Sequence, residues 1–320
     1  MKTFVTGAGG YIGTYLVRAL LERGHAVRGL VKNPARLRNL TDLGVEAVSG
    51  DVRHPESLKG LFEGADVVFH LVGVLIGSEK EMFLTNVEGT KNAAEAAFAI
   101  GVGKFVLASS GTVYGDYGDQ VVTEQAECRP SIAYGISKLE AERIVGETAG
   151  DALPHVVCRL GGVYGPRSQM LMLQSGGRMH VRFLGEGENW ISPIHVEDAA
   201  EALIAAAERG QSGEIYNLVD DEPVRLKEFY GYFAYQLGES EAKHISEATA
   251  RRIARIAGFI GRITGKSVVF NADFVKMVFS SLRLSNEKMR KELGVALKYP
   301  NFRVGIDSIL KELRASAQAI

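Results

Sequence analysis

Tyr134 and Lys138 stand four residues apart in YGISK. On a helix that spacing puts the phenol and the ammonium on one face, one turn from each other. A free tyrosine titrates near 10 and is a poor base at neutral pH, but a neighbouring ammonium favours its phenolate. Lowering the phenol by about three units requires about 4 kcal/mol of differential stabilisation. Ser110 closes the segment GKFVLASS, twenty-four residues before Tyr134, and its hydroxyl is suited to hold a substrate oxygen beside the phenol. The chemistry open to these three groups is proton transfer to or from an oxygen whose carbon gains or loses a hydride. Alone, Y-x-x-x-K is also what two ordinary helix residues look like, so its meaning depends on the elements around it.

A hydride needs a carrier, and the start of the chain offers a loop for one. KTFVT, residues 2–6, is rich in β-branched and aromatic residues and predicts a buried strand. Tyr11 to Arg23 predicts a helix with Ile12, Leu16, Leu20 and Leu21 as its apolar stripe and Gly24 as its stop, and Ala26 to Val31 a second strand. Between the first two lies TGAGGYIG, Thr6 to Gly13. Strand, glycine loop, helix and strand form the context that a dinucleotide fingerprint requires. Gly7 permits the sharp turn, Gly10 lets the backbone approach a pyrophosphate, and Gly13 lets helix and strand pack closely. Gly9, Tyr11 and Ile12 complete the loop and the first helical turn, whose N–H groups and dipole favour phosphate. The plain alternative is a strand-to-helix turn. An oxidised nicotinamide held there would share with Lys138 the work of lowering the phenol.

The rhythm continues. VEAVSGD predicts a third strand ending at Asp51, Asp66 to Leu71 a fourth, GKFVLASS a fifth ending at Ser109 and Ser110, and PHVVCRLGG a sixth ending near Leu160. Helices over Glu81 to Ile100 and Ile132 to Thr148 separate the later strands. Alternation of this kind predicts an α/β fold, a doubly wound parallel (Rossmann) sheet covered on both faces. Its ligands bind at the carboxyl ends of the strands, where Asp51 with Val52, Leu71, Val72 and Gly73, and Ser109 with Ser110 fall. A smaller, mostly helical carboxyl-terminal lobe follows. Residues 1–165, rejoined by 194–220, are expected to bind nucleotide, and residues 166–193 and 221–320 substrate.

The end of the second strand distinguishes the nicotinamide cofactors. A carboxylate there would hold the ribose 2′-OH of NAD. This strand instead ends Leu30-Val31-Lys32-Asn33, and Lys32, helped by Arg28 or Arg36, is suited to neutralise a 2′-phosphate. NADP is therefore the expected cofactor, with NAD the alternative if Lys32 is only a solvated strand-end lysine. Asp51 could accept a bond from the adenine amino group or serve as a helix cap.

The rest of the sequence mainly excludes. At 320 residues, 46% hydrophobic and net charge −1, the chain gives no electrostatic reason to expect nucleic acid. Cys128 and Cys158 lack paired spacing, and His54, His70, His180 and His195 lack metal-ligand spacing. Neither a signal peptide nor a run of about twenty apolar residues is visible, so a reducing, cytoplasmic setting without a membrane span is expected. Met170, Met172 and Trp190 are candidates for an apolar pocket or for ordinary core. Ala248 to Lys266 is basic and amphipathic, with Ile253, Ile256, Phe259, Ile260 and Ile263 at helical spacing. Such a stripe either packs on the domain, the commoner case, or lies on a membrane. Asn271 to Leu293 and Gly305 to Leu313 predict further helices.

TGAGGYIG, GDV, SSGTVYG, YGISK, RLGGVYGP and SPIHVEDAA together resemble the extended short-chain dehydrogenase/reductase superfamily over about residues 1–220. The resemblance implies catalysis by Ser110, Tyr134 and Lys138. It implies that Asn86, in TNVEGT, steadies the active-site helix and relays protons. It also implies cofactor contacts at Asp51, at Lys138 and in the segment after Arg159, with Leu160, Gly161 and Val163. Gly111 and Thr112 stand where sugar 4,6-dehydratases carry an acidic pair, and Gly162 where nucleotide-sugar epimerases usually carry asparagine. The pattern looks more like the dihydroflavonol-reductase and 3β-hydroxysteroid-dehydrogenase-like branch. That implies an NADP-dependent oxidoreductase acting on a carbonyl or secondary alcohol of a small apolar substrate. The alternatives are an NAD-dependent nucleotide-sugar epimerase and, because VFHLVGVL to FLTNVEGTKNAAEAA also resembles an accessory subunit of respiratory complex I, a redox-silent nucleotide-binding protein. A homodimer through the two helices before and containing Tyr134 is implied as well.

Overall fold

The computed structural model describes residues 1–33, 37–150, 152–166, 168, 174–175, 178–179, 182–239, 242–264, 268 and 270–318. Its centre is a seven-stranded parallel sheet: β1 (Lys2–Thr6), β2 (Ala26–Val31), β3 (Glu46–Ser49), β4 (Val67–His70), β5 (Lys104–Ser110), β6 (His155–Leu160) and β7 (Ile215–Leu218). The spatial order is β7-β6-β5-β4-β1-β2-β3. The chain winds outward from β1 in one direction and from β4 in the other. The two directions part between β1 and β4, where a doubly wound sheet opens its crevice.

The strands read as near-continuous apolar runs because both faces are covered. Every residue of β4 and of β6 is buried. On one face Val5, Val106 and Val156 pack with Leu16, Val17 and Leu20 of α1 (Tyr11–Glu22) and with Leu203 of α4 (Val196–Arg209). On the other, Phe4, Val68 and Phe105 pack with Ala93 and Ala97 of α2 (Gly89–Ile100) and Val145 of α3 (Ala133–Ala149). Each fully buried large apolar side chain contributes about 1.5–3 kcal/mol relative to exposure.

Four departures from the sequence reading have physical causes. β7 carries a polar residue at its centre. Asn217 is fully buried, receives the Tyr114 hydroxyl at 2.8 Å, and donates its backbone N–H to Glu124 at 2.9 Å. The stretch 81–100 is not one regular helix, because a wide π-turn over Phe83–Glu88 interrupts it before α2. The stretch 271–293 divides into α7 (Ala272–Phe279) and α8 (Glu287–Leu293). Between them Arg283–Leu284 pairs with Val121–Val122; Ser280 and Ser281 donate their hydroxyls to the carbonyls of Lys276 and Gly118, and Ser285 accepts from the N–H of Glu287, rather than extend a helix. In α6 (Glu247–Thr264) the apolar stripe does not pack inward: Ile253, Ile256, Phe259 and Ile260 are 44%, 63%, 64% and 51% exposed. The remaining long helices are α5 (Leu226–Gln236) and α9 (Phe302–Gln318). No helix among the described residues is long and apolar enough to cross a membrane.

Candidate active site

Helix α3 starts without a side-chain cap from its own Ile132. Its first N–H, on Ala133, instead donates to Asp273 Oδ2 at 2.9 Å, a carboxylate from α7. A carboxylate satisfies an orphan donor there and suits the positive end of the helix dipole. Tyr134, Lys138 and Glu142 then follow at four-residue steps along one face. Lys138 is 2% exposed and donates from Nζ to the carbonyl of Ala108 at 2.6 Å. Burial pushes its pKa down to about 8, against the opposing charge of Glu142.

Tyr134 departs from the expectation that Lys138 lowers its phenol. Burial pushes it up to about 12, and the hydrogen-bonding Ser110 hydroxyl only partly offsets this. The phenol is therefore protonated at neutral pH, the state that a proton donor to a carbonyl requires. Ser110 ends β5, and its Oγ accepts from the backbone N–H and the hydroxyl of Thr112 at 3.2 and 2.9 Å.

Sequence reasoning missed Glu142. It pairs with Arg159 of β6 through Nη2 and Oε2 at 2.7 Å, with the two side chains 4% and 7% exposed. Ser109 donates its hydroxyl to the same carboxylate. Ser109 and Ser110 are successive strand residues and so face opposite sides; the Ser109 side chain is turned to this pair, not to the crevice. The Arg159 guanidinium lies 4.7 Å over the Tyr114 ring. The signal was present as a second four-residue step, from Lys138 to Glu142, with Arg159 the one arginine in the buried strand HVVCRL.

Asn86 sits in the π-turn and is fully buried. Its amide accepts from the N–H of Val74 at 2.7 Å and donates to the Val74 carbonyl at 3.0 Å and to Ser137 Oγ at 2.9 Å. Ser137 in turn donates to the carbonyl of Tyr134 at 2.8 Å. Asn86 thus ties the loop after β4 to the helix of Tyr134. His70, also missed, is buried between Thr6 and Thr90 at 2.9 and 3.1 Å. Burial first, and then the Lys138 charge, pushes it down to about 3, so it is a neutral strut.

The glycine loop is built as a phosphate cradle would be. Gly7 has φ +74°, and a Cβ on it would lie 3.2 Å from the backbone of Leu71 and Val72. A Cβ on Gly13 would lie 2.2 Å from the Gly7 carbonyl oxygen. Gly10 caps α1 without a side chain, and no acidic residue occupies the first turn. Free N–H groups at an uncapped, acid-free helix start fit an anion, so these residues fit a dinucleotide pyrophosphate. Gly9 and Tyr11 border this start, and Ile12 packs into the core. A Cβ on Gly73 would lie 3.7 Å from Asn86 Oδ1 and 3.9 Å from Lys138 Nζ, so the loop 71–73 meets the catalytic candidates.

Other expected contacts carry structural duties. Val52 is buried, and its carbonyl accepts from Asn92 at 2.8 Å. Leu160 is buried, and a Cβ on Gly161 would collide with the Ser192 carbonyl oxygen at 2.1 Å. Val163 pairs with Ile194. Arg28 is paired with Glu46 at 2.8 Å and the Leu61 carbonyl at 3.1 Å; Arg36 lies outside the described residues. Arg53 grips Asp51 with Nη2 at 2.6 Å, while Lys32 Nζ is 3.4 Å from the same carboxylate. The Arg53 bonds hold the Asp51 carboxyl well below the usual carboxylate range.

Beside Tyr134 lies an apolar cleft lined by Leu75, Ile76, Met82, Ile132, Phe274 and Met277. Asp273 and Asn271 also line it, and each caps a helix with one oxygen, Asp273 Oδ2 for Ala133 and Asn271 Oδ1 for the N–H of Phe274 at 2.9 Å. Trp190 is elsewhere: its ring lies between the guanidiniums of Arg225 and Arg283 at 4.2 and 4.6 Å, and its N–H donates to Asp119 at 2.7 Å. Met170 and Met172 lie outside the described residues.

The family model described as the NAD dependent epimerase/dehydratase family matches residues 3–218. A 4-hydroxy-2-methyl-3-oxo-4-farnesyl-3,4-dihydroquinoline-1-oxide ketoreductase of Stigmatella aurantiaca is 29% identical over 97% of this chain and 96% of its own. A 2-alkyl-3-oxoalkanoate reductase of Stenotrophomonas maltophilia (strain K279a) is 30% identical over the whole of both chains. Among solved structures, MoeE5 in complex with UDP-glucose and NAD superposes with a TM-score of 0.78, at 25% identity, over 99% of this chain and all of that one.

Proposed function

The chain belongs to the NAD-dependent epimerase/dehydratase family and is an NAD(P)-dependent enzyme of the extended short-chain dehydrogenase/reductase kind; from that premise we propose that it is an NADP-dependent reductase of a ketone on an apolar substrate. The observation that carries this reading is the apolar cleft with Tyr134 in its wall. Six of the residues lining that cleft are apolar, and Asp273 and Asn271 each use one oxygen to cap a helix, which suits a hydrocarbon better than a nucleotide sugar. Both curated relatives named above are ketone or oxo-acid reductases by description, with farnesyl- or alkyl-bearing substrates.

When bound, the nicotinamide supplies the hydride. Ser110 would hold the carbonyl oxygen, Tyr134 would give it the phenolic proton, and Lys138 would favour the phenolate left behind. Asn86 would act through Val74 and Ser137, keeping the Tyr134 helix in register with the loop after β4. The division into 1–165 with 194–220 for nucleotide, and 166–193 with 221–320 for substrate, belongs to the same proposal. Phe274 and Met277 would come to the cleft from the second part, and Tyr134 from the first.

Lys32 supports the choice of NADP. Arg53 faces the carboxylates of Asp51 and Glu81, while Lys32 meets Asp51 alone at 3.4 Å and keeps its side chain 64% exposed, so Lys32 is the cation open to a 2′-phosphate. Calorimetric titration with NADP⁺ and NAD⁺ tests this. The native chain is expected to bind NADP⁺ more tightly. A charge-assisted bond is worth about 1.5–3 kcal/mol, so Lys32→Asp should weaken NADP⁺ by roughly 10- to 100-fold and spare NAD⁺. Tighter NAD⁺ binding by the native chain would overturn the NADP assignment and favour the second reading, a nucleotide-sugar epimerase, which the neighbour holding UDP-glucose and NAD keeps open.

A further inference from the structure

Helix α6 turns its small residues inward and its large ones outward. Ala250 and Ala254 are 0% and 3% exposed, whereas Ile253, Ile256 and Phe259 are exposed. A helix that only packed on its own domain would bury the opposite set. Cations share that exposed side: Arg255 borders the apolar face, and Arg252 stands within it, one turn before Ile256, and both are exposed. The helix has one acid, Glu247 at its start, and Arg251 pairs with it at 2.6 Å. An apolar face that carries arginines with no ion pair among the described residues has the make-up of a helix that lies in a bilayer interface. Its charge complements anionic lipid.

The position of α6 adds to this. It packs on α7, with the Arg251 guanidinium 5.7 Å over the Phe279 ring. Phe274 and Met277 of α7 form one wall of the cleft at Tyr134. A bilayer under α6 would lie one helix away from that cleft.

We infer that α6 docks the protein on an anionic bilayer surface, with Ile253, Ile256 and Phe259 entering the boundary between headgroups and acyl chains and Arg252 and Arg255 meeting the lipid phosphates. Docking is a property of this face and stands apart from the catalytic reading. A protein that binds vesicles and reduces no ketone keeps the inference and loses the other. Flotation of the full chain with phosphatidylcholine vesicles, with or without phosphatidylglycerol, provides the test. The native protein is expected in the lipid fraction with phosphatidylglycerol present and to leave it when the salt is raised. Arg252→Glu with Arg255→Glu should weaken that binding by about tenfold or more. Ile256→Glu with Phe259→Glu should abolish it without lowering the melting temperature, since both side chains are already in water. Absence of the native protein from the anionic vesicles would overturn the inference. So would a dimer, seen by sedimentation, that the Ile256→Glu, Phe259→Glu variant dissociates while neither protein floats, because the face would then be covered by a second copy of the chain.

Discussion

Tyr134→Phe is expected to lower kcat for ketone reduction by about 10²- to 10⁴-fold, the usual contribution of a positioned proton donor. KM and cofactor affinity should change little. The substitution removes one hydroxyl and keeps the ring. Lys138 remains held by the Ala108 carbonyl, Ser110 remains under Thr112, and Asn86 still reaches Ser137. The phenol's bond to Ser110 goes with the hydroxyl, while the other contacts of Ser110, Lys138 and Asn86 stay. Steady-state kinetics with a reducible ketone, alongside titration of NADP⁺, separates the two quantities. Full activity in the variant would remove Tyr134 from the chemistry.

The largest loss of stability is expected from Glu142→Ala, about 3–5 kcal/mol, the usual penalty for stranding one partner of a buried ion pair. Arg159 would remain a charge with its side chain 4% exposed and without its carboxylate, and Ser109 would lose its acceptor. Glu142→Gln keeps the shape and can still accept from Arg159, so a smaller loss is expected. Urea unfolding of the three proteins at one pH gives the ordering native, Gln, Ala. Equal midpoints would mean that the pair contributes nothing to the fold. Glu142 also opposes the burial-driven fall of the Lys138 pKa, so both variants should lower that value further. The ion pair thus joins the stability of the sheet to the electrostatics of the site.

Parts of this were legible in the sequence because they rest on local rules. β1, the glycine loop, α1 and β2 follow from periodicity and from positions where a Cβ would collide. The sequence limits drawn for β2 match the structure, and the helix beginning at Tyr11 ends one residue earlier than expected. The spacing of Tyr134 and Lys138 needs only that 132–148 be helical. What stayed hidden depends on partners far along the chain. Asp273 reaches Ala133 across 140 residues. Asn217 makes sense in a buried strand only once Tyr114 and Glu124 stand beside it. Arg53 reaches Asp51 from two residues away, but that Lys32 converges on the same carboxylate depends on the end of β2 lying beside the residues that follow β3. Burial is equally non-local. It raises the Tyr134 phenol where spacing alone predicts a fall, and the same blindness makes the stripe of α6 look like a packing face.

In the proposed reaction a hydride passes from NADPH to a ketone on an apolar substrate. The most direct test incubates the purified chain with NADPH and a series of 2-alkyl-3-oxo acids and their esters, following loss of reduced nicotinamide together with the alcohol formed. One alcohol is expected per NADPH consumed, with rates that rise as the alkyl chain lengthens into the cleft of Leu75, Met82, Phe274 and Met277. No consumption with any ketone, together with interconversion of UDP-sugars on bound NAD without net oxidation, would contradict it.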